Sequence, residues 1–151
     1  MEESGGLDMF MGEYHHTIDE KGRIVIPTKF REQLKDQFII AKGIENCLYV
    51  YAKEDWQHLV ESLNILPFTK KDARTFIRSF FSGATECELD RQGRTCITSP
   101  LIIHAGLKKD CVIIGANDRI EIWDKEAWEN FLQDNESKLS DIAENLFGGI
   151  S

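Results

Sequence analysis

The stretch "TIDEKGRIVIP", Thr17 to Pro27, puts two acids, two bases and a glycine into one turn and follows them with a β-branched run. It returns downstream as "ELDRQGRTCIT", Glu88 to Thr98, with Asp19 and Asp90 separated by 71 residues. A hairpin turn needs only a glycine and a small polar residue, so the charges require a further explanation.

The repetition extends well beyond the turn. Gly12 and Gly83, Gly22 and Gly93, Arg23 and Arg94, and Ile26 and Ile97 all share the offset of 71, and "CLYVYAKEDW" (Cys47 to Trp56) matches "RIEIWDKEAW" (Arg119 to Trp128) at 72. One indel in the intervening loops accounts for the drift, and the chain is a duplicated module. Each copy predicts a hairpin around the turn, a short helix in which Thr28 or Ser99 is placed as N-cap, two strands and a closing helix. Trp56, Leu59, Val60 and Leu63 form the apolar stripe of the first closing helix, with Trp128, Phe131 and Leu132 in the second. Between the copies, "FTKKDARTFIRSFFSG" predicts a connecting helix. Thr69 and Asp72 resemble a capping box there, and Gly83 is its C′ stop. Ala73, Phe76, Ile77, Phe80 and Phe81 line one side of this helix, mainly as core; Lys70, Lys71, Arg74 and Arg78 line the other. A last helix over Ser140 to Phe147 is expected to bury Ile142, Ala143 and Leu146. No low-complexity linker separates the halves, so they are expected to pack together as an α+β protein.

Composition narrows the function. The chain has 151 residues, 42% hydrophobic and 29% charged, which suits a globular fold. Its opening "MEESGGLD" lacks a signal-peptide pattern, no apolar run approaches the ~20 residues of a membrane span, and cytoplasm is the expected compartment. Cys47, Cys87, Cys96 and Cys111 form no CxxC pair, which argues against a structural zinc and for four small buried hydrophobes. The net charge of −8 is mostly C-terminal, since residues 110–151 hold ten acids and three bases. The segment Phe68 to Arg94 is mildly basic, so a local anion-binding face is compatible with the global charge.

No catalytic, cofactor or metal constellation is apparent: His15 and His16 would point to opposite faces of a strand, His58 and His104 stand apart, and no HExxH, GxSxG or Walker loop occurs. Attention therefore returns to the turns. In one reading, Asp caps turn amides and pairs with Arg only to hold the hairpin, a contribution of ~0–1 kcal/mol at an exposed site. In the other, Asp19, Asp90, Gly22 and Gly93 brace the loops while Arg23 and Arg94, flanked by Lys21 and Arg91, reach phosphates or guanine edges. Two such ribbons side by side would meet two nearby stretches of one duplex. Spacing alone leaves both readings open.

The runs "MFMGEYHHTIDEKGRIVIPTKFRE", "FTKKDARTFIRSFFSGATECELDRQGR" and "RIEIWDKEAWE" closely resemble the MraZ family, bacterial transcriptional regulators associated with the cell-division and cell-wall gene cluster. The likeness runs from about Met9 to the last helix, and residues 1–8 look like an extension. It implies two tandem SpoVT-AbrB-like modules, over 13–55 and 84–127, forming an intramolecular pseudo-dimeric swapped-hairpin barrel with flanking helices. It further implies a nucleoid-associated, ring-shaped homo-oligomer that binds promoter direct repeats in double-stranded DNA through its DxxxR loops, without cofactor. Lys29 and Arg31 become candidate phosphate contacts. Copy two has Thr98 and Ile102 where copy one has Pro27 and Arg31, so the first loop is expected to dominate. The rival is a non-enzymatic scaffold or protein-interaction ring with only non-specific nucleic-acid affinity.

Overall fold

The structure, a computed structural model, describes residues 9–148; the extension over residues 1–8 lies outside the described residues. Copy one supplies β1 (Glu13–Thr17), β2 (Arg23–Val25), α1 (Thr28–Leu34), β3 (Gln37–Lys42), β4 (Leu48–Ala52) and α2 (Lys53–Leu63). The connector is α3 (Lys71–Ser82). Copy two supplies β5 (Thr85–Glu88), β6 (Arg94–Cys96), α4 (Ser99–Ala105), β7 (Asp110–Gly115), β8 (Ile120–Asp124) and α5 (Lys125–Glu136), and α6 (Leu139–Phe147) follows.

The copies are interlaced. Six antiparallel strands form one sheet in the order β1-β7-β8-β4-β3-β5, so the first strand of each copy lies against the third strand of the other. The short strands β2 and β6 pair across the copies as a separate two-stranded ribbon. Within each predicted hairpin the strands part almost at once: in copy one a single bridge, Ile18 to Ile24, follows the turn before β1 leaves for β7. The expected pair of ribbons is therefore one ribbon shared between copies. The sheet edges β1 and β5 do not pair with each other, so the described strands form an open sheet rather than a closed barrel.

Period-two alternation sorts the side chains onto the two faces. Phe38 and Ile40, Leu48 and Val50, Cys111 and Ile113, and Ile120 and Ile122 point toward the ribbon and pack with Ile24, Ile26, Phe30, Leu34, Ile97 and Leu101. Ala41, Tyr49, Tyr51, Val112 and Trp123 point the other way, under α2, α3 and α5, with Phe80 and Trp128. Phe80 stacks between Trp56 and Phe76 at centroid distances of 5.5 and 5.6 Å, which makes the connector helix part of the core. Glu121 is buried on this face, where it accepts from Trp123 Nε1 (3.0 Å) and Arg119 Nε (2.9 Å); the same guanidinium lies over Tyr49.

Several local expectations are corrected. Thr28 and Ser99 are first helical residues rather than N-caps; the preceding Pro27 has no side-chain acceptor, and Thr98 makes no side-chain cap hydrogen bond. Gly83 ends α3 at a right-handed φ of −91°; a Cβ there would press on the Lys42 side chain, so close approach rather than an αL stop favours glycine. Ile142 and Leu146 of α6 are exposed, since that helix joins neither core. Cys96 is exposed as well, because its parity on β6 turns it away from the core, whereas Cys47 and Cys111 are buried and Cys87 half-buried. Burial pushes the Cys111 thiol up to about 12 and raises those of Cys47 and Cys87. One equivalent of thiol is therefore expected to react quickly with a colorimetric disulfide reagent in the native protein, and the remainder only on unfolding. A burst of two or more equivalents would contradict this packing.

Candidate nucleic-acid interface

Both turns have the same construction. In the first, the Gly22 amide donates to the Asp19 carbonyl (3.0 Å) and the Asp19 amide to the Arg23 carbonyl (2.9 Å). Asp19 Oδ1 accepts from the amides of Lys21 (2.9 Å) and Arg23 (2.8 Å), and Oδ2 from Arg23 Nε (2.7 Å). In the second, Asp90 Oδ1 accepts from the amides of Gln92 (2.9 Å) and Arg94 (2.8 Å), and Oδ2 from Arg94 Nε (2.8 Å). Gly22 and Gly93 have φ of +78° and +77°, a conformation that L side chains rarely adopt. The amide of Arg23 or Arg94, then its side chain, holds each Asp carboxyl below its ordinary pKa, so both stay ionised at neutral pH. Each acid thus orients its arginine through Nε and leaves the two Nη groups outside the Asp–Arg pair. In the second turn Arg94 Nη2 also donates to Gln92 Oε1 (2.8 Å).

The ribbon fixes where the turns stand. Gly22 O accepts from the Ile97 amide (2.7 Å) and Gly93 O from the Ile26 amide (2.9 Å), so each turn is tied to the other copy's strand. The turns sit at opposite ends of the ribbon, four residues apart, or about 13 Å. Arg23 faces Cys96 and Val25 faces Arg94 across the ladder, and these four share the outward face; Ile24 and Thr95 share the inward, buried face. Arg23 and Arg94 are thus brought onto one surface, with Lys21 and Arg91 exposed at the turn tips.

Arg31 follows the first turn in sequence but lies at the second in space. Its Nε donates to the Ile26 carbonyl (2.7 Å), and its guanidinium lies against Gly93, the glycine of the other copy's turn. The equivalent Ile102 lies against Gly22, the glycine of the first turn. The offset of 71 identifies the two residues as equivalents, but nothing in a single sequence says that each serves the opposite turn. Lys29 is exposed on α1, three residues past Ile26 and so on the Gly93 side of the ribbon.

Among the described residues, no group of three or more His, Cys, Asp or Glu is placed to hold a metal ion. Among the same residues no helix is long and apolar enough to cross a membrane.

A family model described as "MraZ protein, putative antitoxin-like" matches twice in tandem, over residues 9–79 and 80–149. The chain belongs to the MraZ family. A relative from Ligilactobacillus salivarius (strain UCC118), named "Transcriptional regulator MraZ", is 53% identical over 138 residues, covering 91% of this chain and 96% of the relative. Another of the same name, from Caldanaerobacter subterraneus subsp. tengcongensis, is 51% identical over 138 residues with the same coverage. The boundary between the two MraZ matches falls near the end of α3, consistent with the internal repeat.

Proposed function

We propose that the chain is a transcriptional regulator that binds promoter direct repeats in double-stranded DNA through its two DxxxR turns, with no catalytic role. The observation that carries this reading is the outward ribbon face. It sets Arg23 and Arg94, each held by an ionised Asp, between two glycine turns about 13 Å apart. That span is close to the ~12 Å width of a B-DNA major groove, which admits a two-stranded ribbon. Arginine oriented through Nε retains the paired donors that suit phosphate or the O6 and N7 of guanine. Lys21, Arg91, Lys29 and Arg31 flank the face as further phosphate contacts. The relatives' shared name supports regulation of transcription, and with it a cytoplasmic, nucleoid-associated protein.

The interlaced copies, with module boundaries near 13–55 and 84–127, are read as the swapped-hairpin pseudo-dimer. Self-association into a ring completes the proposal. Leu139, Ile142, Leu146 and Phe147 on α6 and Ile65 and Phe68 between α2 and α3 are exposed. The acids of α5 and α6 complement the bases of α3, so head-to-tail contacts between copies suit both surfaces. Repeated subunits would engage successive DNA repeats and raise avidity.

The test is a salt-titrated binding assay on repeat-containing and scrambled duplexes, with sedimentation run alongside. Arg23→Ala with Arg94→Ala should abolish the preference for repeats and flatten the salt slope by about 2, one for each phosphate no longer neutralised. Parent-like binding by that double variant removes the DNA reading. A monomer at micromolar concentration that binds repeats with undiminished affinity removes the ring.

A further inference from the structure

We infer that the second turn, not the first, is the stronger anion-binding end of the ribbon, because strand exchange delivers the first copy's bases to it. This rests on the DNA reading above and concerns how the two turns divide the work. Read in chain order, the first copy looks better equipped, since Lys29 and Arg31 follow Arg23. In space these residues leave the first turn behind. β2 carries the chain from Gly22 to Ile26, whose amide is bonded to the Gly93 carbonyl (2.9 Å), and α1 begins there. Arg31 then returns its guanidinium onto Gly93 itself.

The two ends consequently differ in their bases. The Gly93 end holds Arg91 and Arg94 on the turn, Arg31 across it and Lys29 beside it. The Gly22 end holds Lys21 and Arg23, with Glu20 at the tip, Ile102 in the place of Arg31, and Lys109 beside the turn, where its carbonyl accepts from the Ile18 amide (2.9 Å). Among the described residues Lys29, Arg91 and the Nη groups of Arg31 have no ion-pair partner, and the same holds of Lys21 at the other end, so the ends differ in the number of such bases. Glu32, Asp36 and Glu88 line the adjoining groove with Arg31 and Lys35. The contrast therefore lies in the bases set on the turn and ribbon rather than in the net charge of that end. Multiple point charges at one end neutralise more phosphates there, and each phosphate adds to the salt dependence of binding.

The experiment compares end-specific variants on the repeat-containing duplex across a salt series. Lys29→Ala with Arg91→Ala removes two exposed charges from the Gly93 end without touching the core, and should flatten the salt slope by about 2. Lys21→Ala at the Gly22 end should flatten it by about 1 at most. Ile102→Arg, which places a base against Gly22, should steepen the slope by about 1. Arg31→Met, read together with its unfolding midpoint because Arg31 also holds the Ile26 carbonyl, should weaken binding at least as much as Lys21→Ala. The inference is overturned if Lys21→Ala with Arg23→Ala costs as much affinity as Arg91→Ala with Arg94→Ala, or if Lys29→Ala with Arg91→Ala leaves the slope unchanged. Its failure is distinguishable from failure of the DNA reading. Equal losses at the two ends leave DNA binding standing and remove only the asymmetry, whereas parent-like binding by Arg23→Ala with Arg94→Ala removes both.

Discussion

A polypeptide covering residues 9–79 alone should fail to fold as a monomer. Cutting the chain there deprives β1 of β7, β2 of β6, β3 of β5 and β4 of β8, so all four strands lose a partner. It also removes Ile97, Leu101, Leu107, Cys111, Ile113, Ile120 and Ile122 from the core that Ile24, Phe38 and Val50 pack into. At about 2 kcal/mol for each large apolar side chain left without cover, the loss matches or exceeds the ~5–15 kcal/mol that holds a whole domain folded. Two identical halves can, however, exchange strands as the copies do, and the half-chain is expected to acquire structure only as a concentration-dependent dimer. Circular dichroism and sedimentation equilibrium over a dilution series measure this directly. A folded monomer whose stability does not change on dilution would show that each copy carries its own core, contrary to the interlacing.

Phe80→Ala should destabilise the intact protein by about 4 kcal/mol, the range for emptying a phenylalanine site in a packed core. Phe80 is 5% exposed and lies in the aromatic column of Trp56, Phe76 and Phe81, so its removal leaves a void walled by rings that cannot collapse without losing their stacking. For a domain of this size the thermal midpoint should fall by roughly 10 °C. Ile103→Ala, at a position 78% exposed and outside the proposed ring surface, is the control and should stay within about 0.5 kcal/mol of the parent. Equal urea midpoints for the two variants would show that the connector helix is not part of the core.

Much of the fold is legible in the sequence because its causes are local. Glycine tolerates φ near +78° where other residues are strained, so the repeated Gly22 and Gly93 mark both turns. Asp four residues before Arg reaches its amide and Nε within one turn, so the brace can be read from spacing alone. The apolar runs of β3, β4, β7 and β8 and the stripe of α3 are read from local composition and helical periodicity. The errors occur where a residue's surroundings come from far along the chain. Cys96 resembles a buried thiol by its neighbours in sequence, but the ribbon's outer face is defined by β2, some 70 positions away. The apolar side of α6 resembles core, but nothing in the described chain covers it.

By itself the sequence determined that the chain is built twice and that each copy carries a braced Asp-Arg turn. These follow from internal repetition and from the stereochemistry of adjacent residues. Only the tertiary structure decided that the copies exchange strands, that the turns occupy opposite ends of one ribbon, and that Arg31 serves the turn of the other copy. Hydrogen-bond partners in a sheet are chosen by the register of distant segments, which intrachain spacing does not encode, and the same exchange lays Arg31 of the first copy against Gly93 in the turn of the second.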